Sequence, residues 1–577
     1  MLDKTIIRKK CRLAINNILY EGTTDVEAFT RPFEIECLKD ETLTKDIIDA
    51  IESGILSGDF EGLKIHKISH LLVPKKTLCD FRKCALIDVY DEIVYLTLAL
   101  LVADGVGKER INRSEKRVFS YRLNKSENKD KLLFDADYHY TSFRSEVSRK
   151  SKMKQNKILV ECDIANFYDR LNLHRLESAL ASFSGVDRDI AGMINELLLF
   201  WANRNSYGLP VGSNASRILA EASLVNVDSQ LMRNHVDFCR FVDDYRIFAK
   251  DAHTAHKHLA ILSECLGKEG LFLNTQKTKM KDISEYALII GGDKAQENAQ
   301  ENPVAENKIE GEAPVGANKQ SQDDIPKIIR GYSGLIPTKF RKLSDRQKDE
   351  LQKSDIDELL KNANNSELLE PSEVTGLIRT VAAQQRYDAL SQFYDILKKF
   401  PQFIPYFIDF LSHEQKSIPE ELLSEVKCHF AKLYSEDNVP EYISVYLVRL
   451  FKIGRINKDI LFDTFLGLKR TSGVYIGRAL LEAFDNELTR SEINEIREYY
   501  DRADLWEKRQ IIKLARSLPE GERRAFYKNV KIDCNDLFIQ YLLREANTQK
   551  KQKAKNSAKK TKGGKSGTKT KAAPVLS

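Results

Sequence analysis

The sequence predicts an α+β fold in its first half and an all-α fold in its second half. Between residues 61 and 292, short segments rich in β-branched and aromatic residues alternate with amphipathic helical patterns. From about residue 343 to 547, apolar residues recur at helical spacing, with little strand signal. A chain of 577 residues is long enough for several domains.

Composition excludes several classes of protein. Charged residues make up 31% of the chain and hydrophobic residues 42%, and no apolar run approaches the roughly 20 residues that a membrane helix needs. The N-terminus lacks the layout of a signal peptide. Nine scattered cysteines without a C-x-x-C pair indicate a reducing compartment and no Cys-rich zinc site. We therefore expect a cytoplasmic protein without a membrane partner.

The basic charge is concentrated at the C-terminal end. Of the formal net charge of +6, ten lysines and no acid lie from Thr548 onward, so the remaining body carries −4. Residues 548–577 are of low complexity, and we predict a disordered Lys-rich tail. Such a tail either contacts nucleic acid without sequence preference or aids solubility, and the sequence leaves both open.

Residues 1–60 form a predicted helical lead-in, and a predicted hairpin follows it. One strand of the hairpin ends near Lys75 and Lys76, and the other contains Arg82. Basic residues at this position either form a solvated face or hold an anionic ligand. Asp88 is then predicted to cap a long apolar helix from Val89 to Ala103.

The next segments carry the polar residues of interest. An apolar strand over residues 158–164 ends in Asp163, which is either a functional carboxylate or a helix cap. Gly208, Pro210 and Gly212 form a loop that lets a ligand approach the backbone. A helix from Ala215 to about Met232 should follow this loop.

Asp243 and Asp244 lie between two short apolar flanks, 238–242 and 245–249. The flanks are rich in β-branched and aromatic residues, so the segment predicts a hairpin with both aspartates at its tip. Asp is common in turns, so a polar turn without function is the alternative.

The remainder divides into a linker and a helical domain. Residues 293–327 are acidic and polar, and they lack the apolar surface that would order them. Residues 328–547 predict successive helices, arranged either as a HEAT-like α-solenoid or as an ordinary bundle. The predicted domains are thus 1–60, 61–292, 293–327, 328–547 and 548–577.

Asp163 and the hairpin pair together indicate a metal-dependent chemistry. Strands that lie side by side can bring their terminal carboxylates together, and hard cations prefer carboxylate oxygens. Nucleotidyl transfer needs two Mg²⁺ ions, which activate a 3′-hydroxyl and neutralise the leaving pyrophosphate. Basic residues ahead of such a site would hold the triphosphate.

Four segments resemble the A, B, C and D motifs of a reverse transcriptase, in the right order and with suitable gaps. They are 163–168 (DIANFY), 208–221 (GLPVGSNASRILAE), 241–244 (FVDD) and 273–278 (LNTQKT). The resemblance covers about residues 60–290 and implies a right-hand polymerase palm with fingers. Phe241 replaces the usual Tyr of motif C, and Val211 stands where many such enzymes have Gln.

The resemblance implies a role for each matching residue. Asp163, Asp243 and Asp244, with the backbone carbonyl of Ile164, would hold two Mg²⁺ ions, or Mn²⁺ in their place. Lys277 would be the acid near the pyrophosphate. The residues that would contact the incoming dNTP are Tyr168, as the aromatic check on the 2′ position, together with Lys75, Lys76, Arg82, Gly208, Pro210 and Gly212.

Motifs B and C look most like those of bacterial abortive-infection and defence-associated reverse transcriptases. In that group a HEAT-like helical domain follows the palm. The resemblance implies antiphage defence, a homo-oligomer, and DNA synthesis that is untemplated or copied from a non-coding RNA. Some members prime on a tyrosine of their own chain, and Tyr20 is the candidate here; a packed helix residue is the alternative.

Other functions stay open at this level. A retron or group II intron reverse transcriptase is one alternative, although no maturase region or Cys-rich endonuclease module is visible, and Val-Thr-Gly at 374–376 lies far from the palm. A catalytically idle RNA-binding scaffold that works through its helical half is another.

Overall fold

The computed structural model describes residues 3–58, 60–75, 80–124, 132–283, 336–436, 440–468, 474–532 and 535–545. The chain divides into two compact units. The first comprises residues 1–414 with 440–443, and the second comprises residues 415–439 with 444–577. Lys76, the linker 293–327 and the tail 548–577 lie outside the described residues.

The first unit begins with helices and one hairpin. Its elements are α1 (Lys4–Glu21), α2 (Glu34–Cys37), α3 (Glu41–Ser57), β1 (Ser69–Pro74), β2 (Phe81–Leu86) and α4 (Val89–Glu109). β1 and β2 pair antiparallel, so the predicted hairpin is confirmed. Asp88 caps α4 by accepting a hydrogen bond from the Tyr90 N–H, as predicted. α4 is buried along most of its length and contacts α1 and other helices of this unit.

A four-stranded sheet with surrounding helices follows. Its elements are α5 (Tyr140–Ser151), β3 (Ile158–Asp163), α6 (Phe167–Arg170), α7 (Leu173–Ser182), α8 (Arg188–Trp201), α9 (Asn214–Ser223), α10 (Val225–Arg233), β4 (Asp237–Phe241), β5 (Asp244–Ala249), α11 (Ala252–Lys268) and β6 (Lys279–Asp282). The strand order is β4-β5-β3-β6, and all neighbours are antiparallel.

The sheet is built from segments with strong β propensity. Val160, Ile247 and Phe248 are almost completely buried. Val160 and Ile247 are paired and share one face, whereas Phe248 lies on the other, so both faces of the sheet are covered here. β3 is a central strand, paired with β5 on one side and β6 on the other. The end of β3 therefore lies beside the start of β5, and this register positions the site.

One predicted helix is divided in the structure. The sequence predicts a single helix from Ala215 to about Met232, but α9 ends at Ser223 and α10 begins at Val225. Leu224 lies between the two helices, with ψ near −2°, and is fully buried. Apolar periodicity continues across this break because both helices bury one face, so periodicity alone does not reveal it.

After β6, every regular element that the structure describes is a helix. The first unit adds α12 (Asp345–Leu351), α13 (Ile356–Asn365), α14 (Pro371–Gln384), α15 (Phe393–Lys399) and α16 (Ile404–Glu414). Beyond them are α17 (Glu420–Glu436), α18 (Glu441–Leu450), α19 (Lys458–Leu468), α20 (Val474–Ala483), α21 (Arg490–Glu498), α22 (Leu505–Leu514) and α23 (Glu520–Ile532). Short 3-10 turns occur at Glu61–Leu63, Arg113–Glu115, Tyr387–Gln392, Pro401–Phe403, Tyr500–Arg502 and Ala515–Ser517.

The predicted helical second half is therefore confirmed as helical. Its grouping into domain 328–547 stays a prediction. No helix among the described residues has the length and apolar character needed to cross a bilayer.

Candidate active site

The β4–β5 hairpin carries the predicted aspartate pair at its tip. β4 ends at Phe241, which pairs with Asp244 at the start of β5, so Val242 and Asp243 form the turn. Val242 has a φ of 55°, in the left-handed region that β-branched residues rarely adopt. Such a conformation costs on the order of 1–3 kcal/mol and persists where surrounding contacts hold it.

The third aspartate lies on the neighbouring strand. Asp163, the last residue of β3, pairs in register with Asp244. Directly paired residues of antiparallel strands lie about 5 Å apart at Cα and point to the same face. The Ile164 N–H also donates to the Asp243 carbonyl at 3.2 Å. The structure thus brings Asp163, Asp243 and Asp244 together at one edge of the sheet, where β3 ends and β5 begins. We call them the edge aspartates.

Negative charge at this edge is only partly compensated. Burial, followed by the charges of Asp244 and Asp163, raises the pKa of Asp243 to about 7. Burial also raises the pKa of Asp244, although Arg246, 3.6 Å away, opposes the shift. A partly buried group of carboxylates with excess negative charge fits hard divalent cations, which such oxygens bind well.

The spacing of the edge aspartates is wider than that of a closed metal cluster. Among the described residues, the group whose ligand atoms all lie within 4.8 Å of one another is His66, Asp88 and Asp91. Hydrogen bonds explain that group, because Asp91 bonds the His66 ring at 3.0 Å and Asp88 caps α4.

Lys277 lies beside the edge aspartates, in the turn before β6. Its Nζ is 3.2 Å from Asp163 Oδ2, and 60% of its side chain is exposed. Asn274 also contacts Asp163: its backbone N–H donates to the Asp163 carbonyl at 2.7 Å and its Nδ2 to Oδ2 at 3.3 Å. Asn274 lies in the segment that resembles motif D, 273–278, but no role was predicted for it.

The glycine loop is bound to two neighbouring elements. Gly208 and Gly212 have φ of 100° and 116°, which favour glycine. Between them, Pro210 is buried and the Leu209 N–H donates to the Tyr168 carbonyl at 2.9 Å. The Val211 carbonyl accepts from Ala85 of β2 at 3.1 Å. The loop therefore connects the segment that carries Tyr168 with the basic hairpin.

The basic hairpin supplies cations to the same region. Lys75 pairs with Asp80 at 2.6 Å and lies 3.5 Å from Asn166 Oδ1, three residues after Asp163. Arg82 is close enough to Asp243 that its charge works against the rise of that pKa. Lys76 falls outside the described residues.

Tyr168 and Tyr20 are both half-buried. Tyr168 lies in α6, and burial followed by Tyr121 raises its pKa well above the usual value, with Asp243 adding to the rise. Tyr20 lies near the end of α1.

A buried group of charges behind the hairpin was not predicted. Arg240 is fully buried and donates to Glu221 at 3.0 Å, to Asp228 at 2.6 Å and to the Val242 carbonyl at 2.9 Å. Arg110 donates to Glu221 at 2.6 Å. We call Arg110, Glu221, Asp228 and Arg240 the buried ion cluster. An arginine within an apolar strand is the sequence signal for it, because such a charge needs a buried partner.

The cluster has two effects near the site. Burial opposes ionisation of Glu221, but the charges of Arg110 and Arg240 outweigh it and lower the pKa of Glu221. The bond from Arg240 to the Val242 carbonyl also holds the strained turn that carries Asp243.

A carboxylate-lined sheet edge beside a basic hairpin is an arrangement suited to nucleotidyl transfer. Comparison with known families agrees. Residues 109–300 match the family model of the reverse transcriptase (RNA-dependent DNA polymerase). The chain therefore contains a reverse transcriptase domain, which supports the predicted enzyme class, an RNA-directed DNA polymerase.

Solved structures give weaker likenesses. Telomerase from Candida tropicalis, in complex with a TWJ fragment of telomeric RNA, is 14% identical over 67% of this chain, with a TM-score of 0.25. The match spans 64% of that telomerase chain. Telomerase from Candida albicans with the same type of fragment is also 14% identical, over 73% of this chain and 71% of its own, with a TM-score of 0.26. TM-scores this low do not establish a common architecture. No curated protein matches the chain.

Proposed function

We propose that this protein is a DNA polymerase that joins dNTPs to a 3′-hydroxyl by two-metal nucleotidyl transfer. The observation that carries the proposal is the register pairing of Asp163 with Asp244, next to Asp243 in its turn. Two Mg²⁺ ions, or Mn²⁺ in their place, would supply activation of the 3′-hydroxyl and neutralisation of the pyrophosphate. The edge aspartates and the Ile164 carbonyl would hold them.

The cations of the chain have separate tasks in this proposal. Lys277 lies on the Asp163 side of the site and is exposed enough to move, so it donates a proton to the leaving pyrophosphate. Lys75 and Arg82 lie on the basic hairpin and bind the triphosphate, and Lys76 is a further candidate. Bound in this way, the nucleotide presents its α-phosphate to the 3′-hydroxyl.

The pocket for the sugar is formed by Tyr168 and the glycine loop. The loop backbone at Gly208, Pro210 and Gly212 lies against the segment that carries Tyr168, as the bond from Leu209 shows. The ring of Tyr168 contacts the 2′ position and disfavours a hydroxyl there. The expected substrates are therefore dNTPs.

The biological setting follows from the resemblance of motifs B and C to defence-associated reverse transcriptases. We propose a cytoplasmic bacterial protein of antiphage defence that acts by abortive infection as a homo-oligomer. Its nucleic-acid partners are a non-coding RNA template, the DNA product, or both. The helical half is proposed to be HEAT-like, and Tyr20 is the candidate for protein priming.

Incubation of the purified chain with dNTPs and Mg²⁺, with and without a primed RNA template, tests the proposal. The double variant Asp243→Ala, Asp244→Ala should reduce incorporation by at least about 10³-fold, because the metal ligands are lost. Asp137→Ala, at an exposed aspartate of the same domain, is the matched control and should retain activity. Unchanged incorporation by the double variant would overturn the proposal, whereas full biological activity of the double variant would favour the idle RNA-binding scaffold.

The same reaction tests priming. Product from a reaction without primer is digested with protease and examined for an attached peptide. Tyr20→Phe, which removes one hydroxyl, should abolish the attachment if Tyr20 is the primer. Attachment that persists in this variant rules out Tyr20.

A further inference from the structure

The segment that follows α1 lies against the glycine loop. The Asp25 N–H donates to the Gly212 carbonyl at 3.3 Å. A methyl group built on Gly212 would overlap Thr24 Oγ1 and crowd the Val26 side chain, and Gly212 has a φ of 116°, so this position favours glycine. The N-terminal lead-in is therefore part of the wall of the proposed nucleotide pocket.

A buried ion pair joins the same segment to α9. Arg217 Nη2 lies 2.5 Å from Asp25 Oδ2, and the two side chains are 10% and 12% exposed. The other nitrogen of the Arg217 fork donates to Asn214 Oδ1 at 2.6 Å. Asn214 in turn donates to Glu21 at 2.7 Å. A planar guanidinium with both ends bound has a defined orientation, which a lysine would not have.

The guanidinium face is directed at the aromatic side of the pocket. Arg217 Cζ lies 5.2 Å from the centre of the Tyr121 ring, within range of a cation–π contact. Tyr121 has a φ of 46°, and its ring lies 6.2 Å from that of Phe241, which precedes the aspartate turn. Tyr121 therefore depends on contacts with its neighbours to hold a strained backbone.

Tyr168 belongs to the same group. Burial lowers the pKa of Arg217, but Asp25, Tyr121 and Tyr168 outweigh it and raise that pKa. The glycine loop joins the segment of Asp25 to that of Tyr168, because the Gly212 carbonyl accepts from the Asp25 N–H at 3.3 Å and the Leu209 N–H donates to the Tyr168 carbonyl at 2.9 Å. The charge of Arg217 also works against the rise in the pKa of Tyr168. A change in the orientation of Arg217 would thus reach the ring proposed to check the sugar.

We propose that the Asp25–Arg217 ion pair determines sugar specificity: it holds Arg217 against Tyr121 beside Tyr168, and so maintains discrimination between deoxyribonucleoside and ribonucleoside triphosphates. The inference rests on the proposed polymerase function. Asp25 and Arg217 are positioning residues that act through Tyr168. Without the charge of Asp25, Arg217 turns toward Glu21, and the aromatic wall loosens where a 2′-hydroxyl would otherwise be rejected.

The test uses the full chain, with and without a primed RNA template, and measures kcat and KM for single dNTPs and for the matching rNTPs. Asp25→Asn removes the charge and keeps the shape. It should lower the ratio of kcat/KM for dNTP over rNTP by about tenfold, mainly through KM, since tenfold corresponds to one weakened charged contact. Asp25→Glu restores the charge and should recover most of the ratio. Thermal melting reports the folded state of each variant.

Two further variants separate positioning from general stability. Arg217→Lys keeps a cation but loses the planar fork, and it should lower the ratio as Asp25→Asn does. In a Tyr168→Ala background, Asp25→Asn should change the ratio by less than about twofold, because the ring through which it acts is gone.

The outcomes are distinct. If Asp25→Asn and Arg217→Lys fold and the ratio of kcat/KM for dNTP over rNTP is unchanged, the inference is overturned. It is also overturned if the tenfold change persists in the Tyr168→Ala background, or if a variant loses activity equally on both nucleotides. If Asp25→Asn does not fold, Arg217→Lys alone decides by the same criterion. A wild-type chain that incorporates no nucleotide instead overturns the proposed function and the inference with it.

Discussion

Two acidic groups lie in the same sheet region and differ in how their charge is compensated. Among the described residues, Lys277 and Arg246 lie near the edge aspartates and the charge of Arg82 reaches Asp243, yet the pKa of Asp243 is raised to about 7. In the buried ion cluster, two carboxylates meet two arginines. The pKa of Glu221 is lowered despite complete burial, whereas burial raises the pKa of Asp228 although Arg240 opposes the shift. Removing one partner of a compensated buried group destabilises the fold, whereas uncompensated charge marks a position where an external cation can bind.

The two groups are physically connected. Arg240 belongs to the buried ion cluster and also donates to the carbonyl of Val242, next to Asp243. The buried ion cluster therefore supports the turn that carries Asp243, one of the edge aspartates. The comparison predicts that substitution in the edge group mainly affects activity, and substitution in the buried group mainly affects stability.

Asp243→Asn should give the largest change in activity. The amide keeps the shape but loses the charge, so incorporation should fall by at least about 10³-fold. Stability at pH 8 should be unchanged or higher, because a carboxylate that burial disfavours is replaced by a neutral group. Nucleotide incorporation and urea unfolding measure the two effects. A marked loss of stability would contradict the distinction between the groups.

Arg240→Met should give the largest change in stability. It leaves Glu221 and Asp228 buried without their shared cation, which typically costs about 3–5 kcal/mol of unfolding free energy. Urea unfolding at neutral pH measures the loss. Arg386→Met is the control, since Arg386 forms exposed ion pairs with Asp357 and Asp388, and it should change stability little. Equal effects of the two variants would contradict the role assigned to the buried ion cluster.

Divalent cations should give the smallest of the three effects. Mg²⁺ bound by the edge aspartates stabilises the folded state by roughly 1–3 kcal/mol at 10–100 times its dissociation constant. The melting temperature of the wild type should therefore rise with Mg²⁺ and return to its starting value after chelation. Asp243→Asn should not respond, and K⁺ at matched ionic strength should not substitute. An equal rise in the melting temperature of Asp243→Asn would show that the cation binds at another site.

Features that depend on neighbouring residues were predictable from the sequence. The β4–β5 hairpin, the end of β3 at Asp163 and the cap of α4 by Asp88 follow from β propensity, turn composition and capping, all of which are local. The break at Leu224 was missed because it depends on packing rather than on apolar spacing.

The sequence by itself determined the chemistry of the candidate site, because the motif residues and their order identify a reverse transcriptase domain without knowledge of their packing. Tertiary structure decided which charges are neutralised and which residues support the site. Arg217 and Asp25 are 192 positions apart, and Arg110 and Glu221 are 111 apart. Contacts over such separations depend on how α1, α4 and α9 pack together, and no local pattern encodes that packing.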